Sequence, residues 1–408
     1  MISMSLLLAG FLLSLYVFVA FLPIYWAFGA DSFRQSVKSL SFWGAAFGGL
    51  LVSGAVLAFF GYNPDTTVLE ERGRQFASIL HKMLIVDFFI LAPEILLLVW
   101  PKGGAVALAA FREGWRQPMF WVLAGAGALA ITVSMVIPYF TFGDDYKMMK
   151  QLGFDTVMLF AVLFAVLASS ISINEEIEGR TAITVISKPI TRRQFLIGKY
   201  FGILLAAAGL TLILSYVLNW ALHIKPMFDK LDEVKDQMPL QVAETLTPFF
   251  MTLIPGAEAS SFAVGVSAWF SEVFAHGFGM LLGFGQVMVL LAISTALATR
   301  MSFIINIVIC GMIFLLGHLS PILVQVTQNI AQSNEGSPLV IVGFLAQLFD
   351  AVLPALEFFN MGPAIIRDNT LDFWPFATYV LTVFGYAVIY SVIGLLIGLI
   401  LFEDRDLA

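Results

Sequence analysis

Residues 174–200, NEEIEGRTAITVISKPITRRQFLIGKY, are a charged stretch with a single proline, flanked on both sides by long apolar runs. Glu175, Glu176, Glu178, Arg180, Lys188, Arg192, Arg193 and Lys199 all fall inside it. An ionised side chain at the centre of a membrane helix costs about 2.5–3.5 kcal/mol, so this many charges cannot share hydrocarbon. The stretch must lie in water while the runs beside it cross a bilayer. That reading sets the fold class as an all-α integral membrane protein.

The rest of the chain agrees. Of 408 residues, 60% are hydrophobic and 12% charged, against roughly 45–50% and 25% in soluble domains. Apolar runs recur at roughly 4–29, 42–60, 83–100, 119–140, 154–173, 201–222, 273–297, 302–320 and 376–402. A helix of about 20 residues crosses about 30 Å of hydrocarbon, so about nine transmembrane helices are predicted. The first run lacks a basic segment before it and is too long for a signal-peptide core, so it reads as an uncleaved span. Short alternating segments of the barrel kind are absent. The net charge is −7 and the basic residues form no stripe, which argues against a nucleic-acid partner. Cys310, the single cysteine, allows no intrachain disulfide.

Placing 174–200 in the cytoplasm puts the linkers at 30–41, 101–118, 298–301 and 403–408 there too. Together these segments hold twelve of the 21 Lys and Arg residues. The other nine are spread over loops of roughly twice the length, the asymmetry of the positive-inside rule. The C-terminus is then cytoplasmic and the N-terminus faces outward.

Between Pro101 and Pro118, Leu108, Phe111 and Trp115 recur at i, i+3 and i+7, with Arg112, Glu113 and Arg116 on other faces. This predicts a short amphipathic helix in the membrane interface, or else a polar linker carrying aromatics. Within the charged stretch, Thr181 can cap a short helix through Ala182, Ile183, Val185 and Ile186 that Pro189 ends. Its Ile and Val residues would need a partner groove; the other reading is a solvated loop with one helical turn. Thr191 followed by Gln194 forms a capping box, so a second helix should start at Arg192 and run into the next span. The outward loops 223–272 and 321–375 carry apolar segments, Leu246–Phe270 and Leu339–Phe359, interrupted by Pro and Gly. Either could be interfacial or re-entrant.

No stretch matches G-x-x-x-x-G-K-[ST], since Gly198-Lys199 is followed by Tyr200. Nor does a G-x-S-x-G elbow or an H-E-x-x-H spacing occur, so neither a catalytic motif nor a metal site is expected. Asp87 and Glu94 lie seven residues apart on one face of the third run. They are candidates for an intramembrane proton or cation site, with interhelical packing as the alternative. Asn219, Gln286 and Asn306 read as interhelical hydrogen-bonding contacts.

Taken together, the chain resembles the permease subunits of ABC-2 type ABC transporters, in particular the bacterial multi-copper-enzyme-maturation permeases. Four features carry this: the amphipathic segment 105–117, the run from Glu176 to Lys199, Leu353-Pro354 with Phe359-Asn360 before the last span, and the ending Leu401-Phe402-Glu403-Asp404-Arg405-Asp406. The likeness covers about 105–408, so residues 1–100 form a three-span N-terminal extension to a core at 101–408. It implies a subunit of the bacterial inner membrane, in an exporter, with a second permease chain as homodimer or heterodimer. It also implies a separate ATPase subunit that holds ATP and Mg, this chain having no cofactor of its own. The ATPase-coupling residues implied are Glu176, Glu178, Gly179, Arg180, Thr181, Ile183, Val185, Ile186, Lys188, Pro189 and Arg192. Leu108, Phe111, Arg112, Trp115 and Arg116 would form an elbow helix. Without the resemblance, a stand-alone ion-coupled transporter using Asp87 and Glu94 and a polytopic membrane enzyme are the other function classes.

Overall fold

The computed structural model describes residues 4–61, 65–137, 145–178, 190–228, 257–331, 344, 347–348, 353–360, 362 and 373–403. Among these, eleven α-helices follow one another with no strand between them. They are α1 (Met4–Phe28), α2 (Ala30–Val37), α3 (Leu40–Gly61), α4 (Thr66–Val99), α5 (Pro101–Arg116), α6 (Pro118–Ser134), α7 (Asp145–Glu178), α8 (Arg192–Phe228), α9 (Ala257–Ala298), α10 (Phe303–Ala331) and α11 (Phe373–Glu403). Six of them, α1, α3, α7, α8, α9 and α11, contain stretches long and apolar enough to cross a membrane. The protein is an all-α, multi-pass membrane protein.

The other three runs take different forms. The run at 119–140 begins in α6, which ends at Ser134 and meets α5 at a 57° bend. The bend falls at Gln117, whose backbone is extended (φ −63°, ψ 137°), because Pro118 excludes the helical conformation from the residue before it. Residues 302–320 lie in α10, with an apolar stretch at Phe303–Leu319. Residues 83–100 are the second half of α4, which starts much earlier. Asp65 begins it by accepting from the Thr67 N–H (2.9 Å) and hydroxyl (2.7 Å), and these bonds hold its carboxyl below the usual range. Likewise α9 starts directly after Pro255-Gly256, inside the stretch read as an outer loop, and runs without a break to Ala298.

The chain divides into two compact units. One gathers residues 1–92, 219–277 and 368–373, the other 93–218, 278–367 and 374–408. In the first, α1 packs against α3 through ring pairs such as Phe11–Phe47 at 6.0 Å. Trp269 of α9 lies between His81 (6.3 Å) and His223 (5.9 Å). Asn219 and His276 share a hydrogen bond of 2.5 Å from α8 to α9.

In the second unit, a buried polar seam joins α7, α9 and α10. The Asn306 amide donates to Ser170 Oγ (2.8 Å), Ser294 O (3.0 Å) and Ser294 Oγ (3.1 Å), and Ser169 bonds Ser294 at 2.6 Å. Lipid tails are as apolar as leucine, so such bonds and close packing, rather than water exclusion, bind helices within the bilayer. A 3₁₀ turn, Leu356–Phe359, is pinned to the same unit. Leu356 occupies the space where Gly317 lacks a side chain, and Phe359 does the same at Gly285. The Tyr379 hydroxyl donates to Phe358 O at 2.9 Å, and the Ala355 N–H donates to the Tyr386 hydroxyl at 3.2 Å.

Candidate functional site

Lys199 lies on the eighth residue of α8 and is 3% exposed. A cation so buried must find counter-charge nearby. Its ammonium donates to Glu113 Oε2 of α5 (3.2 Å), Ser172 Oγ of α7 (2.8 Å) and Glu176 Oε1 of α7 (2.5 Å). Ser172 in turn donates to the same Glu113 oxygen at 3.1 Å. One charge thus ties together α5, the end of α7 and the start of α8.

α8 begins as the capping box predicts. The Gln194 N–H donates to Thr191 Oγ1 (3.2 Å), and the Thr191 N–H donates to Gln194 Oε1 (3.0 Å). Its first residue, Arg192, donates through Nη1 to the carbonyls of Phe402 and Glu403, both at 2.9 Å. Arg300, between α9 and α10, donates to Leu401 O at 2.8 Å. These are carbonyls that the last turn of α11 leaves without helical partners, and two cations there also oppose the negative end of the helix dipole. Beneath them Phe195 stacks on Phe402 at 5.9 Å. Val106, Ile173, Ile177, Leu196 and Ala298 complete one apolar cluster, so five helices meet where α7 ends and α8 begins.

α5 is amphipathic, and the face it packs on the protein is lined mainly by small residues. Gly103, Val106, Ala107, Ala110, Phe111 and Gly114 are buried, whereas Leu108 and Trp115 are only partly covered. The reason is its neighbour. A Cβ on Gly198 of α8 would sit 2.8 Å from both Gly103 O and Val106 Cβ. One on Gly202 would overlap the Ala107 carbonyl and lie 2.7 Å from Ala110 Cβ. Small residues on both helices let the backbones approach closely. Arg112 and Arg116 point away, Arg116 lying 5.8 Å from the Trp115 ring.

Of the residues singled out in the sequence, Glu176 and Arg192 take part in this assembly, and Glu178 closes α7. Gly179, Arg180, Thr181, Ile183, Val185, Ile186, Lys188 and Pro189 lie outside the described residues. Glu94 faces Arg112 of α5 at 3.7 Å, with both side chains partly exposed. Asp87 is buried, and no described residue bonds its Oδ1. Lys199, Glu113 and Ser172 were not singled out as a group, although a lysine eight residues into a helix that continues as a span is a signal that acidic partners must be found.

A family model described as ABC-2 family transporter protein matches residues 3–407, taking in the N-terminal helices as well as the rest. No curated protein and no solved structure matches the chain.

Proposed function

The chain belongs to the ABC-2 family of transporter proteins, and from that premise we propose that it is the permease subunit of an ATP-driven exporter, coupled to a separate ATPase through residues 174–200. Two permease chains and two ATPase chains would make the unit, set in the bacterial inner membrane with the C-terminus in the cytoplasm. ATP and Mg would sit on the partner. Residues 179–189 would seat on it, and its closure would push on both stems of the segment. The observation that carries this reading is that both stems are fixed to the same helices. Glu176 on one and Lys199 on the other are ion-paired, and the capping box makes α8 rigid from Arg192 onward. A push on 179–189 would therefore move α7, α8 and α5 together. The pairing of Glu94 with Arg112 supports this reading over an ion-coupled transporter built on Asp87 and Glu94.

The test is the double substitution Ile183→Asp and Ile186→Asp. If these side chains fill a groove on the ATPase, each loses burial worth about 1.5–3 kcal/mol and places a carboxylate in a desolvated contact. Co-purification of the ATPase, normalised to permease, should fall at least tenfold, while membrane abundance stays normal. Unchanged co-purification with unchanged ATP-dependent transport would rule the segment out as the coupling element.

A further inference from the structure

At the other end of α7 from Lys199 the second unit holds a cavity of about 340 Å³. Small-molecule sites run from about 300 to 1,000 Å³ and combine apolar walls with a few fixed polar groups. This one fits. Phe154, Phe314 and Phe359 bring three rings to it, and Asp155, Gln286 and His318 bring the polar atoms. Asp155 is exposed on α7, and among the described residues no hydrogen bond engages its carboxylate. It is also placed in depth. Twenty-one residues separate it from Glu176, and at 1.5 Å per residue that is about 31 Å, one hydrocarbon thickness. The cavity therefore lies about one hydrocarbon thickness along α7 from the Lys199 assembly.

Charge selects the ligand. Glu357, held by the Asn360 amide at 2.9 Å, interacts electrostatically with Asp155, as does His318. The Nδ1 of His318 bonds Phe314 O at 2.9 Å. Two carboxylates against one imidazole leave a net negative site in either state of the histidine, so an anion is repelled. A neutral apolar ligand would strip water from Asp155 and return nothing. A cation compensates that carboxylate, and the ring faces attract it as well. Among the described residues no group of three or more His, Cys, Asp or Glu is placed to hold a metal ion, and the apolar walls suit a cation that carries a hydrocarbon portion.

We propose that this cavity binds the ammonium group of an amphiphile, with Asp155 as its counter-charge and the three phenylalanine rings around its apolar portion. The ammonium can belong to a free amphiphilic amine or to a lipid headgroup.

The test uses the full-length protein in maltoside micelles, which carry no amine, titrated with hexyltrimethylammonium, and with hexanesulfonate as the anion of equal chain length. Wild type and Asp155→Glu should bind the ammonium saturably and ignore the sulfonate. Asp155→Asn should bind at least tenfold more weakly while melting at the wild-type temperature. Should that variant fail to fold, Phe314→Leu decides, with binding weakened severalfold if the rings take part. Competition by added phosphatidylethanolamine but not phosphatidylglycerol would identify a lipid headgroup, and competition by neither would identify a free amine; either source meets the proposal. Equal binding by Asp155→Asn, or sulfonate binding as tight as ammonium binding, overturns it.

Discussion

A lysine buried at the edge of a membrane core is stable only as part of a set, and the set here is Lys199 with Glu113 and Glu176. Removing one member of a buried ion pair costs about 3–5 kcal/mol, whereas replacing the whole set by neutral groups is often nearly neutral. The carboxylates are partly exposed, with side-chain accessibilities of 37% and 26%, so screening places the loss toward the lower end of that range. We predict that Lys199→Met lowers the melting temperature of the purified protein because it leaves two carboxylates facing each other. Adding Glu113→Gln and Glu176→Gln should restore most of the loss. Single and triple variants that melt like wild type would dissolve the triad as a structural unit. The capping box at Thr191 and Gln194 was legible in the sequence because both partners lie within one helical turn. The triad was not, because Glu113 is 86 residues from Lys199, and only the packing of three helices brings them together.

At the scale of elements, helix existence was legible and helix faces were less so. Apolar runs mark spans because the bilayer filters composition, but within lipid the face that packs is chosen by how closely backbones can approach. For α5 the aromatic spacing of Leu108, Phe111 and Trp115 pointed to one stripe. From that stripe the helix fully buries Phe111 alone, and it packs Gly103, Val106, Ala107 and Ala110 against Gly198 and Gly202 of α8. Similarly, α9 extends to Ala257 because nothing between there and Phe270 stops a helix except Gly265, which a helix tolerates at about 1 kcal/mol. The close approach makes a sharp prediction. Gly202→Leu forces a side chain into the Ala107 backbone, which cannot yield as a flexible side chain would. It should destabilise by at least the 1–3 kcal/mol typical of overpacking. Gly125→Leu on α6, where an added Cβ meets nothing within 4 Å, is the matched control and should melt as wild type does. If both leucines behave alike, α5 does not dock on α8 through these glycines.

For the whole molecule the remaining question is orientation, since helices alone do not say which side is which. We propose an orientation from the cation count. On the nine-span reading, twelve of 21 Lys and Arg residues fall in the short segments that share a side with 174–200, and short-loop cations are retained in the cytoplasm. The two arginines on the end of α11 fit the same assignment. Arg192 and Arg300 come from segments on that side, and both reach the carbonyls at residues 401–403. An odd number of crossings between residues 185 and 235 follows, because α8, Arg192–Phe228, is the single described helix between them and is long enough to span. Labelling can decide this without removing the native thiol, for Cys310 is buried, at 2% exposed. In intact cells a membrane-impermeant maleimide should label Lys235→Cys and spare Val185→Cys; after permeabilisation both should react. Both positions labelling from outside, or both only after permeabilisation, would remove the crossing at α8. With it would go the cytoplasmic placement of 174–200 on which ATPase coupling depends.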